Sequence, residues 1–73
     1  MTPGAPRDVA IEGDMIRLGQ LLKLSGLAES GGEARELVTE GVVRVNGEVE
    51  TRRGRQLRRG DLVEVDAERV RVA

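Results

Sequence analysis

Between Ile16 and Ser25 the apolar residues recur at helical spacing. Leu18, Leu21 and Leu22 stand at i, i+3 and i+4, and Ser25 completes the face at i+7, so they share one stripe. The spacing predicts a helix over 16–25, with Asp14 as the expected N-cap and Gly26 as the left-handed residue that ends it. Leu27 then returns to the core. A second stripe, Ala34, Leu37 and Val38, predicts a helix over 31–40 that Gly41 terminates. Ser30-Gly31-Gly32-Glu33 has the spacing of a capping box, in which the hydroxyl accepts the Glu33 N–H and the carboxylate reaches back.

Elsewhere the period is two. Val9 and Ile11 alternate with Ala10 and Glu12, a short strand. Beyond Gly41, Val43 and Val45 alternate with Val42 and Arg44, and Asn46-Gly47 follows as a hairpin signal. A two-residue turn would set Val45 opposite Glu48 and Val43 opposite Glu50, apolar against charged, with Arg44 beside Val49. A three-residue loop instead puts Val43 and Val49 on one face, so that loop is expected, with Gly47 left-handed in a G1 bulge. Leu62 to Val65 and Val70 to Val72 read as further strands, separated by turns at Gly60-Asp61 and 66–68. The expected core is Leu18, Leu21, Leu22, Leu27, Ala34, Leu37, Val38, Val43, Val45, Val49, Leu57, Val63 and Val65. The fold class is α+β: two helices packed on a small, mostly antiparallel sheet. Residues 1–8, with Pro3, Gly4 and Pro6, are expected to form a disordered tail, and 9–73 a single domain.

Composition narrows the chemistry. Seventy-three residues hold one domain. The chain has no Cys and no His, which removes disulfides, thiolate metal sites and the commonest general base. No apolar run approaches a membrane span, and the first residues lack a signal-peptide stretch, so a cytoplasmic location is expected. The charge is uneven: residues 1–40 carry a net −3, residues 41–60 a net +4 and residues 61–73 a net −2.

Five of the basic residues are arginines packed into Arg52–Arg59. Such a run could merely protect a sheet edge, but five like charges without an acid among them suit a polyanion better. Gly31 and Gly32 are poor helix formers at a helix start. Either the loop ends one residue later, or bare backbone N–H groups are being offered to a phosphate. The acids show no converging metal set, no glycine pattern matches a nucleotide-binding loop, and no nucleophile–base pair can be assembled. Aromatic stacking platforms are absent, so a nucleic-acid binder of this composition works through phosphates, 2′-hydroxyls and shape.

Several segments together resemble the S4 RNA-binding domain. They are Leu21-Leu22-Lys23, Leu27-Ala28-Glu29-Ser30, Glu33-Ala34-Arg35 with Leu37-Val38, Gly41-Val42-Val43-Arg44-Val45-Asn46-Gly47, and Gly60-Asp61-Leu62-Val63. The order and spacing hold from about Met15 to Val65. Leu18 to Leu24, Ser30-Gly31-Gly32 and Val49 to Arg55 look like stretches of the short stand-alone bacterial S4-like proteins. The resemblance implies a two-helix motif on a small sheet, with RNA bound across the start of the second helix and the adjacent strand loop. The contacts it carries over are Ser30, Gly31, Gly32 and Arg35 at the helix, Arg52, Arg53 and Arg55 in the loop, and Lys23. It also favours the phosphate-seat reading of Gly31-Gly32. One departure stands out: many S4 domains carry Arg directly after the Ser, where this chain has Gly31.

The function expected is therefore a non-catalytic, monomeric module for structured RNA, ribosomal or tRNA-like. No cofactor, metal, membrane or small-molecule substrate is expected. The alternative is a protein-interaction module in which the Arg stretch docks an acidic partner.

Overall fold

A computed structural model describes residues 5–73. Its elements run β1 (Arg7–Val9), β2 (Ile16–Arg17), α1 (Leu18–Leu24), α2 (Gly31–Thr39), β3 (Val43–Val45), β4 (Glu48–Val49), β5 (Gln56–Leu57), β6 (Leu62–Val65) and β7 (Glu68–Val72). The main sheet has the order β1-β7-β6-β3-β4, antiparallel except for the parallel pair β1–β7, and β2 pairs with β5 in a second, two-stranded sheet. Two helices and a mostly antiparallel sheet are thus the architecture the residue pattern predicts.

Both helices and the sheets share one apolar cluster. Leu18, Leu21, Leu22, Ala34 and Val38 from the helices meet Val43, Val45, Leu57, Val63, Val65, Val70 and Val72 from the strands. Without aromatic rings, the core is filled by aliphatic side chains alone. Leu27 and Leu37, expected in the core, are only partly buried at its edge, while Val9, Ile11 and Ala28 join it. Part of the expected tail is structured: Arg7 and Asp8 lie in β1, with Arg7 opposite Val70 and Asp8 opposite Arg71. Ala5 and Pro6 precede β1 without regular structure, and residues 1–4 fall outside the described residues.

The first helix is shorter than its periodicity suggests. Ile16 and Arg17 are extended and pair with Leu57 and Gln56, so α1 begins at Leu18 and Arg17, not Asp14, is its N-cap residue. A helix start leaves backbone N–H groups unsatisfied. Here a distant loop satisfies them: Leu18 N–H donates to the Arg55 carbonyl (2.8 Å) and Gly19 N–H to the Arg53 carbonyl (2.9 Å). Asp14 lies instead within 3.9 Å of the Arg59 guanidinium. The end of α1 follows the sequence, with Gly26 at φ +80°. In α2 the Ser30 hydroxyl caps the Glu33 N–H at 3.1 Å, which is half of the predicted capping box.

The β3–β4 hairpin corrects the expected loop. Arg44 pairs with Val49 and Val45 with Glu48, so the turn has two residues, Asn46 at φ +52° and Gly47 at φ +88°. Positive φ at both central positions is the primed-turn geometry that matches strand twist. Asn46 is further fixed by its side chain, which accepts the Leu62 N–H at 2.9 Å and donates to Asp61 at 3.1 Å. This register leaves Val49 half exposed on the outer face, not in the core. It also sends Glu50 inward, with Glu50 N–H bonded to the Val43 carbonyl at 2.9 Å. The apolar-against-charged conflict is real, and the next loop resolves it.

Candidate nucleic-acid interface

The loop from Glu50 to Arg55 joins β4 to β5 and lies against the start of α1. Its conformation is held from three sides. The Glu50 carboxylate accepts Arg52 N–H (3.1 Å), Arg52 Nε (3.1 Å), Arg52 Nη2 (3.2 Å) and Arg55 Nη1 (3.0 Å). The first-turn N–H groups of α1 hold the Arg53 and Arg55 carbonyls. Arg17 Nη1 donates to the Gly54 carbonyl at 2.8 Å. The Glu50 side chain is 8% exposed, against 74% for Arg52 and 31% for Arg55. The two guanidiniums beside it hold its carboxyl well below the usual carboxylate range, at about 2, against an opposing push from burial. Its charge in turn stabilises the protonated Arg52.

At Gly19 the loop packs directly on α1. A Cβ at that position would stand 2.6 Å from Arg53 Cγ and 3.2 Å from Cδ. The missing side chain makes room for the aliphatic stem of Arg53 to cross the helix. That stem forms one wall of a cleft of about 360 Å³, lined by Arg17, Gly19, Gln20, Lys23, Gly31, Ala34, Arg53 and Gly54. Its lining combines the small residues Gly19, Gly31, Ala34 and Gly54 with the cations Arg17, Lys23 and Arg53. A second groove shares Arg17 and Gly54 with the cleft and runs on to Arg52, Arg55 and Gln56.

The residues singled out by sequence therefore separate. Lys23, Gly31 and Arg53 come together in the cleft, next to Ser30 at the α2 N-cap, and Arg52 and Arg55 extend it. Gly32 and Arg35 do not join them: they line a groove on another side of α2 with Glu36, Thr39 and Glu40, where carboxylates oppose a phosphate. Arg58 and Arg59 also leave the cluster. Arg59 Nη2 donates to the Ile11 carbonyl at 3.1 Å, and neither residue lines the cleft or the groove beside it.

Sequence reasoning missed three residues here. Arg17 looked like the first turn of a helix. Gly19 carried no signal beyond being a glycine inside a helical pattern. Glu50 was legible in principle, since it is the acid directly before the Arg run and falls at the inward parity of a two-residue hairpin. The cleft and groove carry five cations, Arg17, Lys23, Arg52, Arg53 and Arg55, against the single carboxylate of Glu50, a net of four positive charges. Among the described residues no cluster of acids or other donors could hold a metal ion, and no helix is long and apolar enough to cross a membrane.

A family model for the S4 domain matches residues 9–73. The chain is 47% identical over 58 residues to a Bacillus subtilis protein named "Probable ribosome maturation protein RlbA", a match that covers 80% of this chain and 82% of that one. It is 40% identical over 57 residues to the Escherichia coli K12 "Putative RNA-binding protein YbcJ", covering 78% and 81%. Among solved structures, the 30S ribosomal protein S4e of Thermoplasma acidophilum superposes with a TM-score of 0.63 at 22% identity. That match spans 82% of this chain and 32% of the ribosomal protein, and it speaks to the fold.

Proposed function

The chain belongs to the S4 domain family, and from that premise we propose that it is a non-catalytic module for structured RNA, ribosomal RNA foremost. The observation that supports this most is the cleft between α1, the start of α2 and the 50–55 loop, which Arg17, Lys23 and Arg53 line together with small residues. Phosphates of one backbone segment would lie along these cations and continue past Arg52 and Arg55. Ser30 and Gly31 put the N-terminus of α2 at the cleft edge, where its N–H groups can receive a further phosphate. Gly31 has open space above it, so a phosphate can approach its backbone without a side chain in the way. Arg35 and Gly32 belong to the periphery in this reading. The names of the two bacterial relatives point to RNA and the ribosome.

Recognition by backbone and shape fits a surface without aromatic rings. The direct test is fluorescence anisotropy with labelled ribosomal RNA fragments, duplex DNA of matched length and an acidic protein. Preference for RNA at near-physiological salt is the expected result. Equal affinity for the acidic protein would favour a protein-docking module instead.

A further inference from the structure

The placement of Glu50 runs against simple electrostatics. A surface that gathers cations for a polyanion gains nothing from a carboxylate in its midst, yet Glu50 is almost wholly buried directly beneath two of the five cations. The hairpin register sets Glu48 and Glu50 alike opposite core valines, and of the two only Glu50 is buried. Edge-strand solubility does not require an acid there, and an apolar side chain would fill the position opposite Val43 without the cost of burying a charge. All four hydrogen bonds to the carboxylate come from the loop itself: one from a backbone N–H and three from guanidinium nitrogens. Arg52 is gripped by the Nε and Nη2 edge, which leaves its Nη1 and most of its surface facing outward. Arg55 is gripped by Nη1 alone.

We propose that Glu50 is a positioning residue for RNA binding: its carboxylate fixes the Arg52 and Arg55 side chains before RNA arrives. The proposal rests on the functional reading above and deepens it. An arginine carries substantial rotamer freedom, and immobilising such a side chain on binding costs about 2- to 12-fold in affinity. Fixing two of them in the free protein removes that cost in advance. The fixed pair differs from Arg53, whose stem is seated over Gly19 but whose guanidinium has no ion-pair partner among the described residues.

Glu50→Gln separates the two accounts by sign. The substitution is nearly isosteric and removes one negative charge from the site. If charge alone governs binding, affinity rises and the salt dependence steepens. If Glu50 positions the arginines, affinity falls by about fivefold or more, while Glu48→Gln, which removes an exposed charge two residues away, does not weaken binding. A melting curve for each variant establishes that the fold persists. Side-chain NMR of the free wild-type protein supplies an independent readout that needs no variant. The Nε–H resonances of Arg52 and Arg55 should be dispersed and rigid on the nanosecond timescale, with Arg53 averaged. Tighter binding by Glu50→Gln, or motional averaging of Arg52 equal to that of Arg53, would overturn the proposal. Absence of RNA binding by the wild type would fall on the functional reading, and the NMR result would still decide whether Glu50 holds the pair.

Discussion

The Gly19→Ala substitution tests the seat of Arg53 through a single methyl group. Carbon atoms in contact sit about 3.5–4.0 Å apart, and the new Cβ would stand 2.6 Å from Arg53 Cγ. The stem must retreat by about 1 Å. It cannot carry the loop backbone with it freely, because Gly19 N–H holds the Arg53 carbonyl at 2.9 Å. For the fold, two effects oppose each other. Alanine is favoured over glycine in a helix by up to about 1 kcal/mol, and overpacking costs about 1–3 kcal/mol. Stability should therefore fall by no more than about 3 kcal/mol, as read by urea denaturation. For binding nothing offsets the displacement. A charge-assisted hydrogen bond is worth about 1.5–3 kcal/mol, so loss of the Arg53 contact weakens binding by about tenfold or more. The slope of log affinity against log salt should also flatten by about 0.9, one phosphate's worth. The assay is anisotropy with a labelled ribosomal RNA fragment across a salt series. Gly32→Ala, outside the cleft, where the new Cβ would make only an ordinary 3.8 Å contact with Ser30 Oγ, measures what a methyl costs at a helix start where no arginine must move. Wild-type affinity and slope in a folded Gly19→Ala protein would refute the argument that Arg53, seated over Gly19, contacts RNA.

Leu22→Ala, at a fully buried position, should cost about 2–5 kcal/mol in chemical denaturation, and Leu37→Ala, only partly buried, should cost less. Asn46→Val should lower the midpoint more than Glu48→Val, since a β-branched residue is poorly tolerated at φ +52° and the substitution also removes the bonds to Asp61 and Leu62. Glu50 has a folded-state pKa of about 2 against an ordinary value of 4.5. Its ion pairs thus stabilise the fold fully above about pH 5, and that contribution is lost as pH falls from there through 2. Urea midpoints of the wild type should drop over this window more steeply than those of Glu50→Gln. Between pH 6 and 7.5, with no His or Cys in the chain, RNA affinity should be nearly flat.

What could be read from sequence was whatever local chemistry decides. The α2 cap at Ser30 and the left-handed glycines at 26, 41 and 47 follow from residue type and spacing, and the structure has them. The errors arise where a distant segment overrides local preference. Asp14 loses the α1 cap because the Arg53 and Arg55 carbonyls, more than thirty residues away in sequence, take the free N–H groups of Leu18 and Gly19. The hairpin has two loop residues and not three because the glutamate it buries is neutralised by Arg52 and Arg55, which parity alone does not show. The same blindness hides Arg17 and Gly19 and blurs the extent of the arginine cluster. A run of five arginines reads as one patch, but β5 divides it, leaving Arg52, Arg53 and Arg55 beside the cleft and directing Arg59 to Ile11 and Asp14. Arg17 is concealed by helical periodicity that continues two residues too far toward the N-terminus.

The central claim is that five cations around the cleft, offset by Glu50, form one RNA-binding site. The salt dependence of ribosomal RNA binding tests it most directly, measured for the wild type, Arg53→Glu and Arg71→Glu. About four phosphates neutralised predicts a slope of log affinity against log salt of roughly −3 to −4. Arg53→Glu should weaken binding across RNA sequences and flatten the slope. Arg71→Glu, on the exposed face of β7 opposite Asp8, should leave both close to wild type. Equal losses from the two substitutions would contradict the claim, because they would mean diffuse attraction to a charged protein and not a site.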